Sequence, residues 1–276
     1  MKNMHIAFSP PDITEEEIAE VVDTLRSGWI TTGPKKKLFE KKLSEYMETN
    51  RVVCLNSATA CLEMTLRLLG IGPGDEVITT AYTYTASASV VEHVGAKLIL
   101  VDVAKDSYEM DYEKLADAIT EKTKAVMIAH TLGNPFDLQK VKEFCDRHNL
   151  WLVEDNCDAL GTRYTMNGEE KFTGTIGDIG TSSFYPPHHM TMGEGGAVYT
   201  DNPLLNKIIR SMRDWGRDCV CASGQDNLCG HRFDRQYGEL PLGYDHKYVY
   251  SHFGYNLKAT DLQAAIGCAQ IEKFPS

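Results

Sequence analysis

The chain lacks any apolar run long enough to span a bilayer, and its first residues lead into polar sequence without an apolar signal segment. These absences favour the cytoplasm and argue against a membrane partner. Basic residues are also scarce, since 28 Lys and Arg stand against 39 Asp and Glu for a net charge of -11. Nucleic acid attracts basic surfaces, so nonspecific binding to it is not expected. An anionic substrate would need a local basic pocket.

Internal repeats and low-complexity linkers are absent too, and 276 residues can form one large domain or one domain with part of another. From about Val52 onward, short apolar runs alternate with helix-period segments, which predicts an α/β fold with a parallel sheet. The predicted strands are 76–80, 97–103, 124–130, 150–154, 179–184 and 196–200. The predicted helices are 14–27, 56–69, 111–119, 137–148, 204–215 and 260–273.

Residues 183–196 carry the strongest local signal, and they read SFYPPHHMTMGEGG. This segment resembles the cofactor-lysine segment of the DegT-type sugar aminotransferases, which use pyridoxal phosphate and carry a lysine five residues before the GEGG. Here that position is His188, and no lysine occurs between Lys171 and Lys207. Histidine cannot form the Schiff base that lysine forms with the cofactor, but it can move protons near neutral pH. We therefore expect changed chemistry, with a dead site as the alternative.

The resemblance implies a three-layer α/β/α large domain of the PLP-dependent transferase type (type I aminotransferase), with a mostly parallel central sheet. We expect an N-terminal helical segment over residues 1–30 and the cofactor-binding large domain over residues 31–276. Relatives continue into a small C-terminal domain that closes over the substrate, and that domain is expected to be absent or truncated here.

Two segments predict where a cofactor would bind. Ser57, Ala58 and Thr59 open a helix after an apolar strand, so hydroxyl and backbone N–H groups converge at a positive helix end that suits a phosphate. The alternative is that Ser57 is a plain N-cap. Acidic residues, Asp155 and Asp158 among them, follow a buried strand at the edge where α/β proteins bind ligands. Asp155 could instead cap the next element.

The resemblance assigns further roles within this cofactor site. Asp155 would pair with the pyridine nitrogen and keep it protonated. Tyr84 would stack on the ring, although strand aromatics are usually core residues. Ser183 would reach the phosphate, and Asn256 would contact the phosphate bound by a neighbouring subunit. A homodimer is therefore expected. The resemblance also places Asp158 among the cofactor-binding residues.

Three of the eight cysteines, Cys219, Cys221 and Cys229, fall within eleven residues of one small-residue loop. Their spacing suits zinc or iron–sulfur equally, and unligated thiols are the alternative. With Cys157 upstream, the pattern resembles the iron–sulfur branch of the sugar 3-dehydratases, lysine-to-histidine relatives that include the CDP-4-keto-6-deoxy-D-glucose 3-dehydratases. That resemblance implies a [2Fe-2S] cluster on these four thiols, near residues 218–230. The remaining cysteines read as ordinary buried thiols: Cys54, Cys61, Cys145 and Cys268.

The same resemblance implies a reaction. Pyridoxamine phosphate would condense with a nucleotide-linked 4-keto-6-deoxyhexose, and His188 would remove a proton so that the C3 hydroxyl leaves. The product needs two electrons, which the cluster would pass from a separate reductase or ferredoxin. The pathway would make 3,6-dideoxysugars for O-antigen or other cell-surface polysaccharide. Arg213, Arg217, His246 and Lys247 are expected to contact the nucleotide diphosphate, unless they are merely solvated.

Three alternatives stay open from the sequence. The chain could be a dehydratase without a functional cluster, or a transaminase that has lost its lysine. It could be a zinc-stapled scaffold protein without catalysis. It could also be a truncated product whose site residues are present but inactive.

Overall fold

The computed structural model describes residues 9–221 and 224–274. Its helices are α1 Glu15–Ser27, α2 Pro34–Tyr46, α3 Ala58–Leu68, α4 Thr85–His93, α5 Tyr112–Ala118, α6 Leu138–His148, α7 Pro203–Arg213 and α8 Asp261–Lys273. Its strands are β1 Val52–Leu55, β2 Glu76–Thr80, β3 Lys97–Val101, β4 Thr123–Ala129, β5 Trp151–Asp155, β6 Arg163–Met166, β7 Glu169–Phe172, β8 Ile179–Ser183 and β9 Gly196–Tyr199. Within this part of the chain, no helix is long and apolar enough to cross a membrane.

The central sheet has seven strands in the order β1-β9-β8-β5-β4-β2-β3. Strand β9 runs antiparallel to both of its neighbours, and the other neighbouring pairs are parallel. The prediction of a mostly parallel central sheet is therefore confirmed. Strands β6 and β7 form a separate antiparallel hairpin.

Helices cover both faces of the sheet, because alternate side chains of each strand point to opposite faces. On one face, α3 and α4 pack on Val77 and Met127, and α7 packs on Val53. On the other face, α5 and α6 pack on Ile78 and Val126, while the residues of α2 and α8 form a core with β1 and β9. The result is the predicted three-layer α/β/α arrangement.

A capping box begins the first helix. The Thr14 side chain accepts a hydrogen bond at the N-terminus of α1, and the Glu17 carboxylate accepts one from the Thr14 backbone N–H at 2.7 Å. Glu17 also accepts a hydrogen bond from Gln270 at 2.9 Å, which joins α1 to α8. The sequence patterns missed α2, α4 and the β6–β7 hairpin, whose apolar periodicity is weak.

A buried ion cluster joins α2 to α7 and β1. The Glu40 carboxylate lies 3.1 Å from Lys36 Nζ, 3.2 Å from an Arg210 guanidinium nitrogen and 3.0 Å from one of Arg213. It also accepts a hydrogen bond from the backbone N–H of Cys54. Burial alone would raise the pKa of Glu40, but Arg213, Lys36 and Arg210 together lower it to about 2.

Glu40→Gln should strongly destabilise the fold, because it leaves three clustered cations without their carboxylate. Removing one member of a buried ion pair costs ~3–5 kcal/mol. Urea unfolding at pH 7 measures the loss, with Glu45→Gln on the exposed face of the same helix as the control. A parent-like midpoint for Glu40→Gln would contradict this assignment.

The stability that the Glu40 ion cluster contributes should depend on pH. The pKa of Glu40 in the folded state lies below its ordinary value of 4.5, so its contribution is fully present above that value. The stabilisation should fade as pH falls from about 4.5 towards 2. In Glu40→Gln this part of the acid sensitivity should be missing.

Candidate active site

Asp155 ends β5 in the middle of the parallel sheet and is only 5% exposed. Its carboxylate accepts a hydrogen bond from Ser87 Oγ at 2.7 Å and one from the Cys157 backbone N–H at 3.2 Å. Within residues 9–221 and 224–274, no Lys, Arg or His forms an ion pair with it. A buried carboxylate without a cation is suited to pair with a protonated ring nitrogen.

The neighbouring residue, Glu154, faces the opposite side of the strand and is fully buried. Its carboxylate accepts hydrogen bonds from the backbone N–H groups of Gly174, Ile176 and Gly177. It also lies 2.9 Å from His130 Nε2. Glu154 thereby fixes the loop that leads into β8, the strand that carries Ser183.

The N-terminus of α3 forms a cradle of the kind that binds phosphate. Ser57 is the N-cap, and its Oγ accepts a hydrogen bond from the Ala60 N–H at 3.1 Å. Gly196 of β9 packs directly behind it, because a Cβ there would lie 2.6 Å from the Ala58 nitrogen. The side-chain oxygen of Asn56 is buried without a partner among the described residues. The N-cap role and the phosphate-binding role of Ser57 are compatible, since an N-cap leaves the N–H groups of Ala58 and Thr59 directed outward.

Ser183 ends β8, two positions before Tyr185, and is buried. Its Oγ accepts a hydrogen bond from the Tyr185 N–H at 3.2 Å. The register pairs Ser183 with Gly196, which in turn pairs with Leu55 at the end of β1. The sheet therefore brings Ser183 close to the start of α3, as the predicted phosphate contact requires.

His188 lies against Asp158, with 3.4 Å between Nδ1 and an Asp158 carboxylate oxygen. The other Asp158 oxygen accepts a hydrogen bond from the Leu132 N–H. The interaction with His188 is the main cause that lowers the pKa of Asp158, so this residue stays a carboxylate at neutral pH. A carboxylate on Nδ1 leaves Nε2 free to exchange protons. Asp158 was expected from the sequence to contact the cofactor, whereas its pairing with His188 was not predicted.

Two predicted contacts depend on something outside this chain. Tyr84 precedes α4 and is 81% exposed, so nothing in the described structure holds its ring. Asn256 Oδ1 accepts a hydrogen bond from Lys258 Nζ at 2.6 Å. Stacking of Tyr84 on the cofactor and contact of Asn256 with a neighbouring subunit both stay predictions.

The residues therefore fit pyridoxal or pyridoxamine phosphate. The α3 N-terminus and Ser183 would hold the phosphate, and Asp155 would hold the ring nitrogen. The tight approach of Gly196 and the unpaired Asn56 oxygen are observations on this chain that accord with a ligand at this edge.

The four cysteines that were predicted to bind one cluster do not all line the same pocket. Cys219, Cys221 and Cys229 line one small pocket together with His246, whose Nδ1 lies 3.9 Å from Cys229 Sγ. Cys157 does not line it, and burial beside Asp155 raises the pKa of its thiol. The described residues contain no arranged group of three or more His, Cys, Asp or Glu that could hold a metal ion. The four predicted ligands do not fit a cluster as they stand.

The sequence of this chain is similar to those of known proteins. The profile of the DegT/DnrJ/EryC1/StrS aminotransferase family matches residues 11–276. Lipopolysaccharide biosynthesis protein RfbH of Salmonella typhimurium is 50% identical over 269 residues, which cover 95% of this chain and 61% of that protein. A dTDP-4-dehydro-2,6-dideoxy-D-glucose 3-dehydratase of Saccharopolyspora spinosa is 42% identical over 270 residues, which cover 95% of this chain and 58% of that enzyme.

Solved structures agree. Spr1654 from Streptococcus pneumoniae in its PMP form has a TM-score of 0.82 at 38% identity, covering 99% of this chain and 67% of that one. An aminotransferase from Psychrobacter cryohalolentis has a TM-score of 0.83 at 30% identity, and the match covers 98% of this chain and 64% of that one. The predicted PLP-dependent aminotransferase fold is confirmed. The chain spans about three fifths of the length of the two curated relatives above.

Asp155→Asn should weaken binding of pyridoxamine phosphate roughly ten- to a hundredfold, because it removes the charge that would pair with the protonated ring nitrogen. Fluorescence titration of the cofactor measures this. Asp111→Asn is the control, since Asp111 caps α5 and pairs only with Lys114 of that helix, and asparagine caps equally well. Unchanged affinity in Asp155→Asn would mean that the ring lies elsewhere.

Proposed function

The chain belongs to the DegT/DnrJ/EryC1/StrS aminotransferase family, and from that premise we propose that it catalyses C3 dehydration of a nucleotide-linked 4-keto-6-deoxyhexose with pyridoxamine phosphate. The product would enter the biosynthesis of dideoxysugars for O-antigen or other cell-surface polysaccharide. The observation that carries the proposal is His188, which stands where the aminotransferases of the family have lysine and which lies against a carboxylate.

Each residue of the site has one task. When bound, the cofactor supplies an amine that takes up the keto sugar and a ring that withdraws electrons. Asp155 keeps the ring nitrogen protonated from the buried end of β5. Ser57, Ala58, Thr59 and Ser183 hold the phosphate, so that retention needs no covalent bond to the chain. His188 moves protons from Nε2, while Asp158 orients the imidazole through Nδ1.

Two comparisons support this choice. RfbH is described as a lipopolysaccharide biosynthesis protein, and the Saccharopolyspora relative is described as a sugar 3-dehydratase. The family as a whole also contains aminotransferases, which is the competing assignment. Without a lysine between Lys171 and Lys207, the usual means of returning the cofactor to its aldehyde form is missing. Dehydration is therefore the better match to these residues.

A homodimer is part of the proposal, with Asn256 directed to the phosphate of the other subunit. An iron–sulfur cluster on Cys157, Cys219, Cys221 and Cys229 remains a separate prediction, as does a reductase or ferredoxin that would feed it. Only the convergence of the three loop thiols on one pocket supports it. We derive no electron-transfer step from it.

His188→Asn should lower the rate of C3 hydroxyl loss by roughly two to four powers of ten, because general acid–base help is worth that much. The assay combines the protein, pyridoxamine phosphate and a nucleotide 4-keto-6-deoxyhexose, and mass spectrometry follows the sugar. His189→Asn, the neighbouring position, should retain most of the activity. Loss of the hydroxyl at the parent rate in His188→Asn would rule out this base.

The cluster prediction needs its own measurement. Anaerobic purification followed by iron and acid-labile sulfide analysis should give both elements in equal amounts if the four thiols bind [2Fe-2S]. Cys229→Ser should then lose both while it keeps the cofactor. Zinc alone would favour a structural site, and absence of iron from cofactor-loaded protein would remove the cluster from the proposal.

A further inference from the structure

A buried serine hydroxyl connects helix α4 to the carboxylate at the end of β5. Ser87 is the third residue of α4, and its side chain is fully buried. Its Oγ donates a hydrogen bond to Asp155 Oδ2 at 2.7 Å, between residues 68 positions apart in the chain. The other oxygen of the carboxylate, Oδ1, accepts the Cys157 backbone N–H at 3.2 Å. The Asp155 carboxylate is therefore held through both of its oxygens.

The hydroxyl of Thr83 contacts the same serine from the other side. Thr83 Oγ1 lies 3.0 Å from Ser87 Oγ. A carboxylate can only accept hydrogen bonds, and a serine hydroxyl has one proton to donate. Because Ser87 donates that proton to Asp155, Thr83 must donate the bond between the two hydroxyls. The hydrogen bonds therefore run in one direction, from Thr83 through Ser87 to Asp155, and we call these three residues the hydroxyl chain.

Helix α4 itself does not require a hydroxyl at position 87. Within a helix, a serine hydroxyl commonly donates to the carbonyl of the residue four positions earlier. Ser89 does this in the same helix, with 2.9 Å between its Oγ and the Thr85 carbonyl oxygen. The hydroxyl of Ser87 turns to the interior instead, although alanine would be the better helix former there. Its contribution to the structure is the contact with Asp155.

The hydroxyl chain also reaches the segment that carries Tyr84, the residue expected to stack on the cofactor ring. Thr83 directly precedes Tyr84, which is the N-cap of α4. The Ser87 backbone N–H donates to the Tyr84 carbonyl at 3.1 Å. The other end of the segment is held by Thr131, whose Oγ1 donates to the Tyr82 carbonyl at 3.1 Å. Ser87 thus contacts both the aspartate and the tyrosine segment of the site.

We propose that Ser87 is a positioning residue for the cofactor ring. It fixes the Asp155 carboxylate in the orientation that receives the ring nitrogen, and Thr83 fixes Ser87. A carboxylate has about four acceptor sites, so the two hydrogen bonds that it already accepts leave room for a ring N–H. Bonds to a charged group are strong, and a partner held in advance needs no ordering when the ligand arrives. This inference rests on the proposed function for the pairing of Asp155 with the ring nitrogen.

A pair of ligands tests this role without any turnover. Isothermal titration calorimetry would compare pyridoxamine phosphate with its 1-deaza analogue, in which a carbon replaces the ring nitrogen. The parent protein should bind pyridoxamine phosphate more tightly, because only that ligand can pair with Asp155. Ser87→Ala should weaken pyridoxamine phosphate by about three- to tenfold and leave the analogue unchanged. Equal weakening of both ligands would show a general disturbance of the site, and undiminished binding of pyridoxamine phosphate would show no role. Either result would overturn the proposal.

The same region supplies matched variants. Ser89→Ala removes a hydroxyl from α4 that does not contact Asp155, so both affinities should stay at the parent value. Thr83→Val keeps the shape of threonine without its hydroxyl and should weaken pyridoxamine phosphate by about two- to threefold. Thr83→Ser keeps the hydroxyl and should bind as the parent does. Equal affinity in the two Thr83 variants would overturn the role of Thr83.

A double-mutant cycle tests whether Ser87 acts through Asp155. In the Asp155→Asn background, Ser87→Ala should cause little further loss of affinity, because the two residues act as a unit. Losses that simply add would contradict the hydroxyl chain.

The positioning role and the proposed reaction fail separately. A preference for pyridoxamine phosphate that disappears in Ser87→Ala, with dehydration absent in every form of the protein, would keep the positioning role and discard the reaction. A preference that survives in Ser87→Ala, with active dehydration in the parent, would keep the reaction and discard the positioning role.

Discussion

The hydrogen bonds of Glu154 are the constraint on which the site depends. One buried carboxylate takes three backbone N–H groups from the loop before β8 and meets His130 on its other side. Because successive residues of a strand face opposite ways, this anchoring leaves Asp155 free to face the ligand edge. The same loop sets the start of β8 and hence the position of Ser183. Asp155 and Ser183, which we propose as the partners of the ring nitrogen and the phosphate, are therefore both positioned with the help of a single polar group.

Charge is distributed in two ways across this acidic protein. At the sheet edge, Asp155 is a buried anion without a cation, which a protonated cofactor ring would complete. In the cleft beside α2 and α7, cations exceed carboxylates. Asp158, which lies against Nδ1 of His188, adds the third element, because it would orient this proposed base while Nε2 has no hydrogen-bond partner among the described residues.

Most strands and helices were predictable because their apolar periodicity is strong, as in β2, whose bounds match the prediction. Helix α2 was missed because its charged sequence buries Lys36 and Glu40, which a binary apolar pattern cannot anticipate. His188 and Asp155 were found through a resemblance to a motif. The contact of His188 with Asp158 could not be predicted in this way, because it joins residues thirty positions apart in the chain. The cationic cleft beside α2 and α7 was equally hidden, because its cations come from four separate segments: residues 36–37, 207–213, 217 and 258.

The central proposal is that His188 moves protons at the position where the family's aminotransferases use lysine. Proton NMR of pyridoxamine phosphate bound to the protein in D₂O tests it most directly. His188 should exchange one methylene hydrogen of the cofactor for deuterium in the presence of the keto sugar, and His188→Asn should slow that exchange by at least a hundredfold. Exchange at the parent rate in the variant would contradict the account.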